Sequence, residues 1–296
     1  MRTINLLHPA EFPIAITRMS PQEYIPAHRH ENLELVLIIA GSGSHRTPAG
    51  SYPLRQGDVF MVPIGMPHGY EATDDLCLIN IAYDATRLEL PMHRLSVLPG
   101  YQPLVLLEPR LRGQLGFAGH LHVDHPAMAQ LVGLVDELDR ELQQRSSGWE
   151  HAAAAWLLQI LVRLARHYAQ QDTPASRLVV RLAGVLSHIE NHLGAPLELA
   201  ELSAHGDMSK STLQRHFRAA FGASVRQHIL ALRLQASRQL LLSTDLPIQE
   251  VARRVGIPDA NYFSRLFLAK VRVTPRTFRE RRHVPEAIET VTASDR

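Results

Sequence analysis

The chain has 296 residues, which at roughly 100–200 residues per domain is enough for two domains with connecting helices. Hydrophobic residues make up 45% and charged residues 20% of the sequence, so the composition predicts folded domains and excludes a disordered chain. The most apolar stretch, residues 152–164, is interrupted by Gln159 and Arg163 and is shorter than the roughly 20 apolar residues of a membrane span. Because Cys77 is the single cysteine and no signal-like apolar run opens the chain, we expect a cytoplasmic protein with no intrachain disulfide and no membrane partner.

The net charge of +2 hides an asymmetry along the chain. Residues 1–175 carry 13 Arg and 18 acidic residues, whereas residues 176–283 carry 17 Lys and Arg against 8 acidic residues. The first part is therefore acidic and the second strongly basic. This pattern indicates that the C-terminal part binds a polyanion, unless the basic surface is merely solvated, so the motifs must decide.

Strand patterns come first in the chain. Short β-rich runs, such as Leu33–Ile39 and Asp58–Val62, lie between about Ile14 and Tyr83 and are separated by Gly, Pro and Ser. Ala49-Gly50 is a predicted hairpin tip.

Helical patterns follow from Pro126 onward, where apolar residues recur at three- and four-residue steps. A second helix is predicted from about Trp149 to Gln170, and the segment 171–174 predicts a helix end and a linker. The remaining chain to His283 reads as helical.

A candidate metal site lies in the strand-rich part. His28 and His30 share one face of a strand, and Glu34 follows four residues later on the same parity. With His68 from another strand, three imidazoles and a carboxylate would suit Zn, Ni, Mn, Fe or Co. A His-x-His pair alone is more often a surface or core pair, and the same polar groups could serve as hydrogen-bond partners in a metal-free pocket.

The spacing of these residues resembles the cupin superfamily of small β-barrels. Gly41 follows Glu34 by seven residues as in the first cupin motif, and the second motif is matched by Gly57, Pro63, Gly65 and His68. Gln22 and Ala72 stand where the family usually has Gly and Asn. The resemblance implies a barrel with His28, His30, Glu34 and His68 as metal ligands. For the effector pocket inside it we select Tyr24, Arg46, Tyr70 and Asn80.

The basic region contains an internal repeat. Residues 213–217 read Leu-x-Arg-x-Phe and residues 263–267 read Phe-x-Arg-x-Phe. In the first copy residues 205–207 form the predicted turn and Ser209 the cap of the second helix; in the second copy Gly256 and Asp259 take these places. Because the exposed positions carry Gln, Arg, Asn and Ser on a basic domain, two helix-turn-helix units are favoured over ordinary helical hairpins.

The stretch from about Leu178 to Arg282 resembles the DNA-binding domain of the AraC/XylS family of bacterial transcription regulators. The motifs that carry the resemblance are Met208-Ser209, Arg233-Leu234 with Ala236 and Leu240-Leu241, Ile248 with Val251-Ala252, Gly256 to Phe267, Thr274-Pro275 and Phe278-Arg279. Arg272 and Ser203 stand where the family usually has Gly and Ala.

Together the two resemblances imply an α+β multidomain protein. We expect a cupin β-barrel that senses an effector over residues 1–120 and a helical linker and dimerisation region over 121–175. An all-α DNA-binding domain with two helix-turn-helix units is expected over 176–283, and a flexible tail over 284–296.

The AraC resemblance places base-reading side chains on the second helix of each unit: Ser211, Gln214 and Arg215 in the first and Asn261, Ser264 and Arg265 in the second. Arg suits guanine, and Asn and Gln suit adenine. Four further basic residues are assigned to phosphates: Lys210, Arg218, Arg254 and Arg276. Two such helices on one connecting helix would enter successive major-groove segments of double-stranded promoter DNA, about 34 Å apart.

The functional hypothesis is an effector-responsive, sequence-specific transcription regulator and not an enzyme. Residues 75–81 and 98–100 look like the corresponding runs of L-rhamnose-responsive regulators, which implies an activator of sugar-utilisation genes with a sugar such as L-rhamnose as effector. We expect a homodimer that works with RNA polymerase. Two alternatives stay open: a metal-responsive regulator in which the bound ion is the signal, and a metal-dependent cupin enzyme such as an isomerase or oxygenase.

Overall fold

A computed structural model of the protein describes residues 2–4, 6–8, 10–22, 24–115 and 120–280. The predicted tail, 284–296, and the last three residues of the predicted DNA-binding domain lie outside the described residues. The chain divides into two compact units. The first contains the chain up to Ser187 together with Arg215–Gly222, and the second contains His188–Gln214 and the chain from Ala223 onward.

The N-terminal part is a β-domain, as predicted. Its strands are β1 (Arg2–Ile4), β2 (Ile14–Met19), β3 (Ile25–His30), β4 (Leu33–Thr47), β5 (Gly50–Arg55), β6 (Asp58–Val62), β7 (His68–Tyr83) and β8 (Leu121–His122). The strand pattern predicted from Ile14 to Tyr83 is confirmed, but the expectation of short strands is wrong for β4 and β7, which have 15 and 16 residues. The glycines and turn-forming residues within them predict strand ends, but both strands bend at these positions and continue.

The two long strands organise the sheet. β4 and β7 pair antiparallel over most of their length, and each carries further strands on its other edge. β6 and β5 pair with β4, while β2 and β3 pair with β7. β1 adds to β3 in parallel, and β8 adds to β6.

One face of these strands forms an apolar core. Its buried residues are Val36, Ile38, Tyr52, Leu54, Phe60, Val62, Tyr70, Leu76 and Leu78. They come from β4, β5, β6 and β7, so the face that they share is the interior of the β-domain. Burying β-branched and aromatic side chains on one face of a strand is what stabilises such a sheet.

Helices follow the sheet, and some of them carry no clear signal in the sequence. α1 (Met92–Leu95) is a single turn, and a π-helical turn, Pro103–Leu107, runs directly into α2 (Glu108–Leu115). α3 (His125–Gln144) and α4 (Trp149–Gln170) form an antiparallel pair whose bounds confirm the predicted helices within one residue.

Gly100 allows the segment after α1 to approach α4 closely. A Cβ at Gly100 would lie 1.8 Å from the carbonyl oxygen of Ala165, so only glycine fits there.

α2 contains a buried ion pair, and its arginine also contacts the β-domain. The Arg112 guanidinium donates to both carboxylate oxygens of Glu108, at 3.0 and 2.6 Å, and to the carbonyl oxygen of Met61 at 3.3 Å. It also lies over the Phe60 ring, 5.4 Å from the ring centroid. Because Glu108 and Arg112 are both buried, each charge depends on the other.

The rest of the described chain is helical, as predicted. The helices are α5 (Pro174–Asn191), α6 (Leu199–His205), α7 (Lys210–Phe221), α8 (Val225–Ser243), α9 (Ile248–Arg254), α10 (Ala260–Val271) and α11 (Pro275–Glu280). The predicted boundary at residue 176 falls in the first turn of α5. Within the part of the chain that the structure describes, no helix is long and apolar enough to cross a membrane.

We expect Glu108→Leu to lower the free energy of unfolding by about 3–5 kcal/mol, because it leaves the buried Arg112 charge without its carboxylate. The double variant Glu108→Leu/Arg112→Leu should recover most of this loss, since apolar side chains of similar volume replace a buried pair at little cost. Denaturant unfolding of the single and double variants measures both values. If the double variant is no more stable than Glu108→Leu, the pair is not the source of the effect.

Arg272→Gly should raise the free energy of unfolding by about 0.5–1 kcal/mol. Arg272 is the C-cap of α10 and has a left-handed backbone with φ of 68°, which costs an L-residue energy that glycine avoids. Arg272→Ala is the matched control, because it removes the charge and keeps the Cβ. Equal stability of the Gly and Ala variants in denaturant unfolding would contradict the strain.

Candidate metal centre and nucleic-acid interface

The four predicted metal ligands meet in the interior of the β-domain. His28 and His30 lie on β3, Glu34 on β4 and His68 at the start of β7, and all four are buried. His28 pairs directly with His68 in the strand register, so the two side chains leave the same face. The structure therefore brings together the residues that the sequence motif singled out.

The three imidazoles are in contact with each other. Their ring centroids lie 4.7 Å apart for His28 and His30, 4.3 Å for His28 and His68 and 5.0 Å for His30 and His68. One nitrogen from each ring lies within 4.8 Å of the other two, which is close enough for one ion to bind all three. Glu34 Oε2 lies 3.4 Å from His30 Nε2 and 3.2 Å from His68 Nε2.

Backbone carbonyl oxygens orient the three rings. The Nδ1 atoms of His28, His30 and His68 lie 3.0, 3.3 and 3.3 Å from the carbonyl oxygens of Pro26, Ile4 and Met66. If each Nδ1 carries the proton and donates it to its carbonyl, each Nε2 has a lone pair for an ion. His30 Nε2, His68 Nε2 and Glu34 Oε2 are buried and, apart from their long contacts with one another, have no hydrogen-bond partner among the described residues. Unsatisfied buried atoms that face one another fit a bound cation.

The charges in the cluster follow from these contacts. Burial alone would raise the pKa of Glu34, but the adjacent His30 and His68 outweigh it and hold that pKa at about 2. Burial and the neighbouring His68 lower the pKa of His28. Burial lowers the pKa of His30, but the hydrogen bond and charge of Glu34 outweigh it and raise that pKa. An ion bound here would therefore have to displace a proton from His30, because a coordinating imidazole must be neutral.

Two of the four predicted effector-pocket residues face the interior. Tyr70 is buried, and the Tyr70 hydroxyl and the Asn80 Oδ1 atom have no hydrogen-bond partner among the described residues. Tyr24 and Arg46 do not join them. Tyr24 is 66% exposed, and the Arg46 side chain is 64% exposed and pairs with Glu71 at 3.6 Å.

The misplacement of Arg46 has a physical cause. Side chains alternate between the two faces of a strand, so regular alternation from Glu34 along β4 would place Arg46 in the interior of the β-domain. The register of β4 with β7, however, shifts between residues 38 and 44. Gly41, with φ of 70°, lies within this irregular stretch. After it His45 faces the interior and Arg46 faces outward.

His45 is the interior residue that the sequence interpretation missed. It is fully buried, and its ring centroid lies 4.7 Å from that of Phe60 and 5.6 Å from those of His68 and Tyr70. Neither ring nitrogen has a hydrogen-bond partner among the described residues. Burial, with the Arg112 charge nearby, lowers the pKa of His45 well below its usual value, so the ring is neutral and offers one donor and one acceptor.

A cavity of about 450 Å³ lies at one end of the β-domain. It is lined by residues 47–49, residues 63–67 and four residues of α2, including Arg110 and Arg112. Its volume is in the range of small-molecule sites. Met66, which lines it, also packs on the interior core and orients His68 through its carbonyl oxygen.

The first predicted reading helix is α7. Lys210, Ser211, Gln214, Arg215 and Arg218 are all exposed, and Leu213 and Phe217 are buried. Positions 211, 214, 215 and 218 recur at three- and four-residue steps, so they lie on one helix face. The Ser209 hydroxyl accepts from the Thr212 backbone N–H at 3.1 Å, which confirms the predicted cap.

The second predicted reading helix is α10, which repeats this pattern. Asn261 and Arg265 are exposed, Ser264 is half-buried, and Phe263 and Phe267 are in the core. The Ser264 hydroxyl donates to the carbonyl oxygen of Ala260 at 2.8 Å. The Asp259 carboxylate accepts from the backbone N–H groups of Asn261 and Tyr262, which confirms the predicted cap.

The four predicted phosphate contacts are exposed, but two are engaged within the chain. Arg254 Nε donates to Glu250 at 2.9 Å, and Arg276 Nε lies 3.4 Å from Glu280. Lys210 and Arg218 are on α7 and appear in no ion pair described for the chain. Exposed ion pairs are weak, so a phosphate could displace Glu250 or Glu280.

Comparison with known families matches both halves of the chain. An AraC-like ligand binding domain matches residues 13–161, and a helix-turn-helix domain matches residues 202–281. The chain belongs to the AraC family of transcription regulators. This assigns it to the DNA-binding regulators rather than to the cupin enzymes.

The chain is also similar to individual known proteins. The chain is 29% identical over 92% of its length to the HTH-type transcriptional activator RhaR of Yersinia pestis, covering 90% of that protein. It is 28% identical over 90% of its length to RhaR of Salmonella paratyphi B, covering 91% of that protein. A solved AraC-type regulator from Chromobacterium violaceum is 28% identical over 36% of this chain and 94% of its own, with a TM-score of 0.34.

We expect Arg265→Ala to weaken binding to the preferred DNA sequence by about 1–3 kcal/mol and to relax discrimination at one base pair. Arg265→Lys keeps the charge and loses the planar fork, so it should lose most of the discrimination and keep the salt dependence. Lys210→Ala should weaken all sequences alike and reduce the salt slope by about 1. Titrations of a selected duplex and a random duplex at several salt concentrations measure each effect. Equal losses on both duplexes for Arg265→Ala would contradict base reading by Arg265.

Proposed function

We propose that the protein is an effector-responsive transcription activator that reads promoter DNA with the exposed faces of α7 and α10. The observation that carries this is the repeated pattern of the two helices, in which Arg215 and Arg265 are exposed between pairs of buried apolar residues. Activation is supported by the relatives, which are named transcriptional activators. An activator contacts RNA polymerase and works where the DNA is, so we also propose RNA polymerase as a partner and the cytoplasm as the location.

The effector that we propose is a sugar bound in the interior of the β-domain. The Tyr70 hydroxyl, the His45 ring nitrogens and the Asn80 Oδ1 atom are buried and find no partner in the described ranges of the chain, and together they supply donors and acceptors. Sugar hydroxyl groups require this mixture. L-rhamnose is the sugar to test first, because residues 75–81 and 98–100 resemble L-rhamnose-responsive regulators.

A divalent transition metal is the cofactor that we propose for His28, His30, Glu34 and His68. The unsatisfied Nε2 and Oε2 atoms support it, because each would gain a partner on binding. Zn, Ni, Mn, Fe or Co suits imidazole and carboxylate ligands. When bound, the ion would supply a positive charge that fixes the rings and polarises an oxygen of the effector.

The assembly that we propose is a homodimer built on the α3–α4 pair. Both helices are amphipathic, and their exposed faces are available to a second copy. A dimer would present four helix-turn-helix units to two half-sites. The effector would then act through a difference in its affinity for two arrangements of the dimer.

A metal-responsive regulator is the second candidate, favoured by the completeness of the ligand set. Calorimetry with L-rhamnose and with Zn²⁺ on one preparation distinguishes the candidates. Heat from the sugar, with a resulting change in DNA affinity, supports the sugar effector. A change in DNA affinity caused by the ion alone, without sugar binding, supports the metal signal.

His68→Ala should bind one equivalent of divalent ion fewer than the unaltered protein and should lose the response to effector. Affinity for the ion should fall as the pH is lowered through the imidazole range, because the rings must be neutral to coordinate. His151→Ala, which removes an exposed histidine of α4, is the matched control and should change neither property. Elemental analysis and DNA titration measure the outcome, and unchanged ion content in His68→Ala would contradict the site.

A further inference from the structure

A second cluster of metal-ligating groups lies outside the site described above. It consists of Asp58 on β6 and of His120 and His122 at β8. Asp58 pairs with His122 in the β6–β8 register, which places their side chains on one face. More than sixty residues separate the aspartate from the histidines in the chain, so the strand pairing creates the cluster.

The geometry of the cluster converges on one carboxylate oxygen. His120 Nε2 and His122 Nδ1 each lie 2.8 Å from Asp58 Oδ1, and all three atoms lie within 4.8 Å of one another. The two rings use different nitrogens to reach the same point. The other carboxylate oxygen, Oδ2, accepts from the Arg55 backbone N–H at 2.9 Å, so the turn before β6 fixes the carboxylate.

Burial changes across the cluster from inside to outside. The side chain of Asp58 is 1% exposed, that of His120 16% and that of His122 37%. The carboxylate is thus fixed inside the protein while the imidazoles border the solvent. An ion could enter from the solvent and keep a water molecule as a fourth ligand.

We propose that Asp58, His120 and His122 form a second divalent transition-metal site, separate from the one formed by His28, His30, Glu34 and His68. Two imidazole nitrogens and one carboxylate oxygen are a ligand set for Zn²⁺, Co²⁺ or Ni²⁺. Bonds of about 2.0–2.1 Å put tetrahedral ligands about 3.3 Å apart, so the ring nitrogens would move from Asp58 by roughly 0.5 Å. His122 is exposed enough to make that movement.

An ion at this site would fix the connection between the β-domain and its helices. β8 has two residues, and Asp124 just after it caps α3 by accepting from the Ala127 backbone N–H. At the same end of the antiparallel α3–α4 pair, just after α4, the Gln171 side chain donates to the carbonyl oxygen of His120 at 3.2 Å. The ion would therefore link β6 to the start of α3 and the end of α4.

The test uses the full chain, freed of metal by chelation, and titrates it with Zn²⁺ in a calorimeter. The variant His28→Ala/His68→Ala removes the first site and should still bind one equivalent. Adding His120→Ala/His122→Ala to that variant should weaken the remaining binding at least tenfold. Adding His151→Ala instead is the matched control and should leave it unchanged.

The outcomes separate the two sites. No Zn²⁺ binding by His28→Ala/His68→Ala, or equal binding with and without His120→Ala/His122→Ala, would overturn the second site. Loss of one equivalent on His68→Ala alone concerns only the first site.

A second measurement avoids variants that fold poorly. Diethyl pyrocarbonate modifies accessible histidines, and mass spectrometry locates the modified residues. In the unaltered protein, saturating Zn²⁺ should protect His122 and leave His151 reactive. Undiminished modification of His122 under these conditions would also overturn the proposal.

Discussion

The antiparallel pairing of β4 with β7 is the constraint on which the candidate site depends. These two strands pair along almost their full length. The other strands of the domain pair with their free edges, either directly or through a neighbouring strand. Side chains that face each other across such a pair leave the same face. The pairing therefore fixes which residues reach the interior: Glu34 beside the apolar core, and His45 opposite Tyr70.

The sequence predicted the clustering of His28, His30, Glu34 and His68 well and the interior position of the effector-pocket residues only in part, and the strand registers explain the difference. His28 and His30 follow the register shift of β3, and Glu34 precedes the shifts of β4, so alternation by two residues is reliable for them. Between residues 38 and 44 the register shifts, and alternation then predicts the wrong face. Gly41 indicates a turn but not how many residues the bulge adds, so alternation from Glu34 would place Arg46 rather than His45 in the interior. The helices near α2 and the short strand β8 were also missed, because Glu108 and Arg112 interrupt the apolar periodicity and a two-residue strand has none.

The runs that resemble L-rhamnose-responsive regulators have structural duties that limit what they say about the effector. In residues 75–81, Leu76 and Leu78 pack in the interior core, and Ile79 and Ile81 are buried. The fold therefore needs these apolar residues whichever effector the protein binds. Gly100 is needed because a Cβ at this position would collide with the Ala165 carbonyl oxygen of α4. Among these runs, Asn80 is the side chain with an unsatisfied buried polar atom. In the proposed effector site, the choice of effector would therefore depend on Asn80 together with His45 and Tyr70 rather than on these runs as a whole.

Electrostatic interactions and hydrogen bonds run from that polar interior to the helices of the first unit. Burial and then the nearby Arg112 charge lower the pKa of His45, and the same guanidinium bonds to the backbone of Met61 and pairs with Glu108 on α2. Glu108 in turn lies close enough to Tyr168 on α4 to add to the effect of burial in raising the pKa of that phenol. An effector that hydrogen-bonds to His45 would change the balance of forces on Arg112, and Arg112 cannot move without moving Glu108. Because a buried charge pair tolerates few arrangements, we expect a change at His45 to be passed through Arg112 to α2 rather than absorbed around the ring.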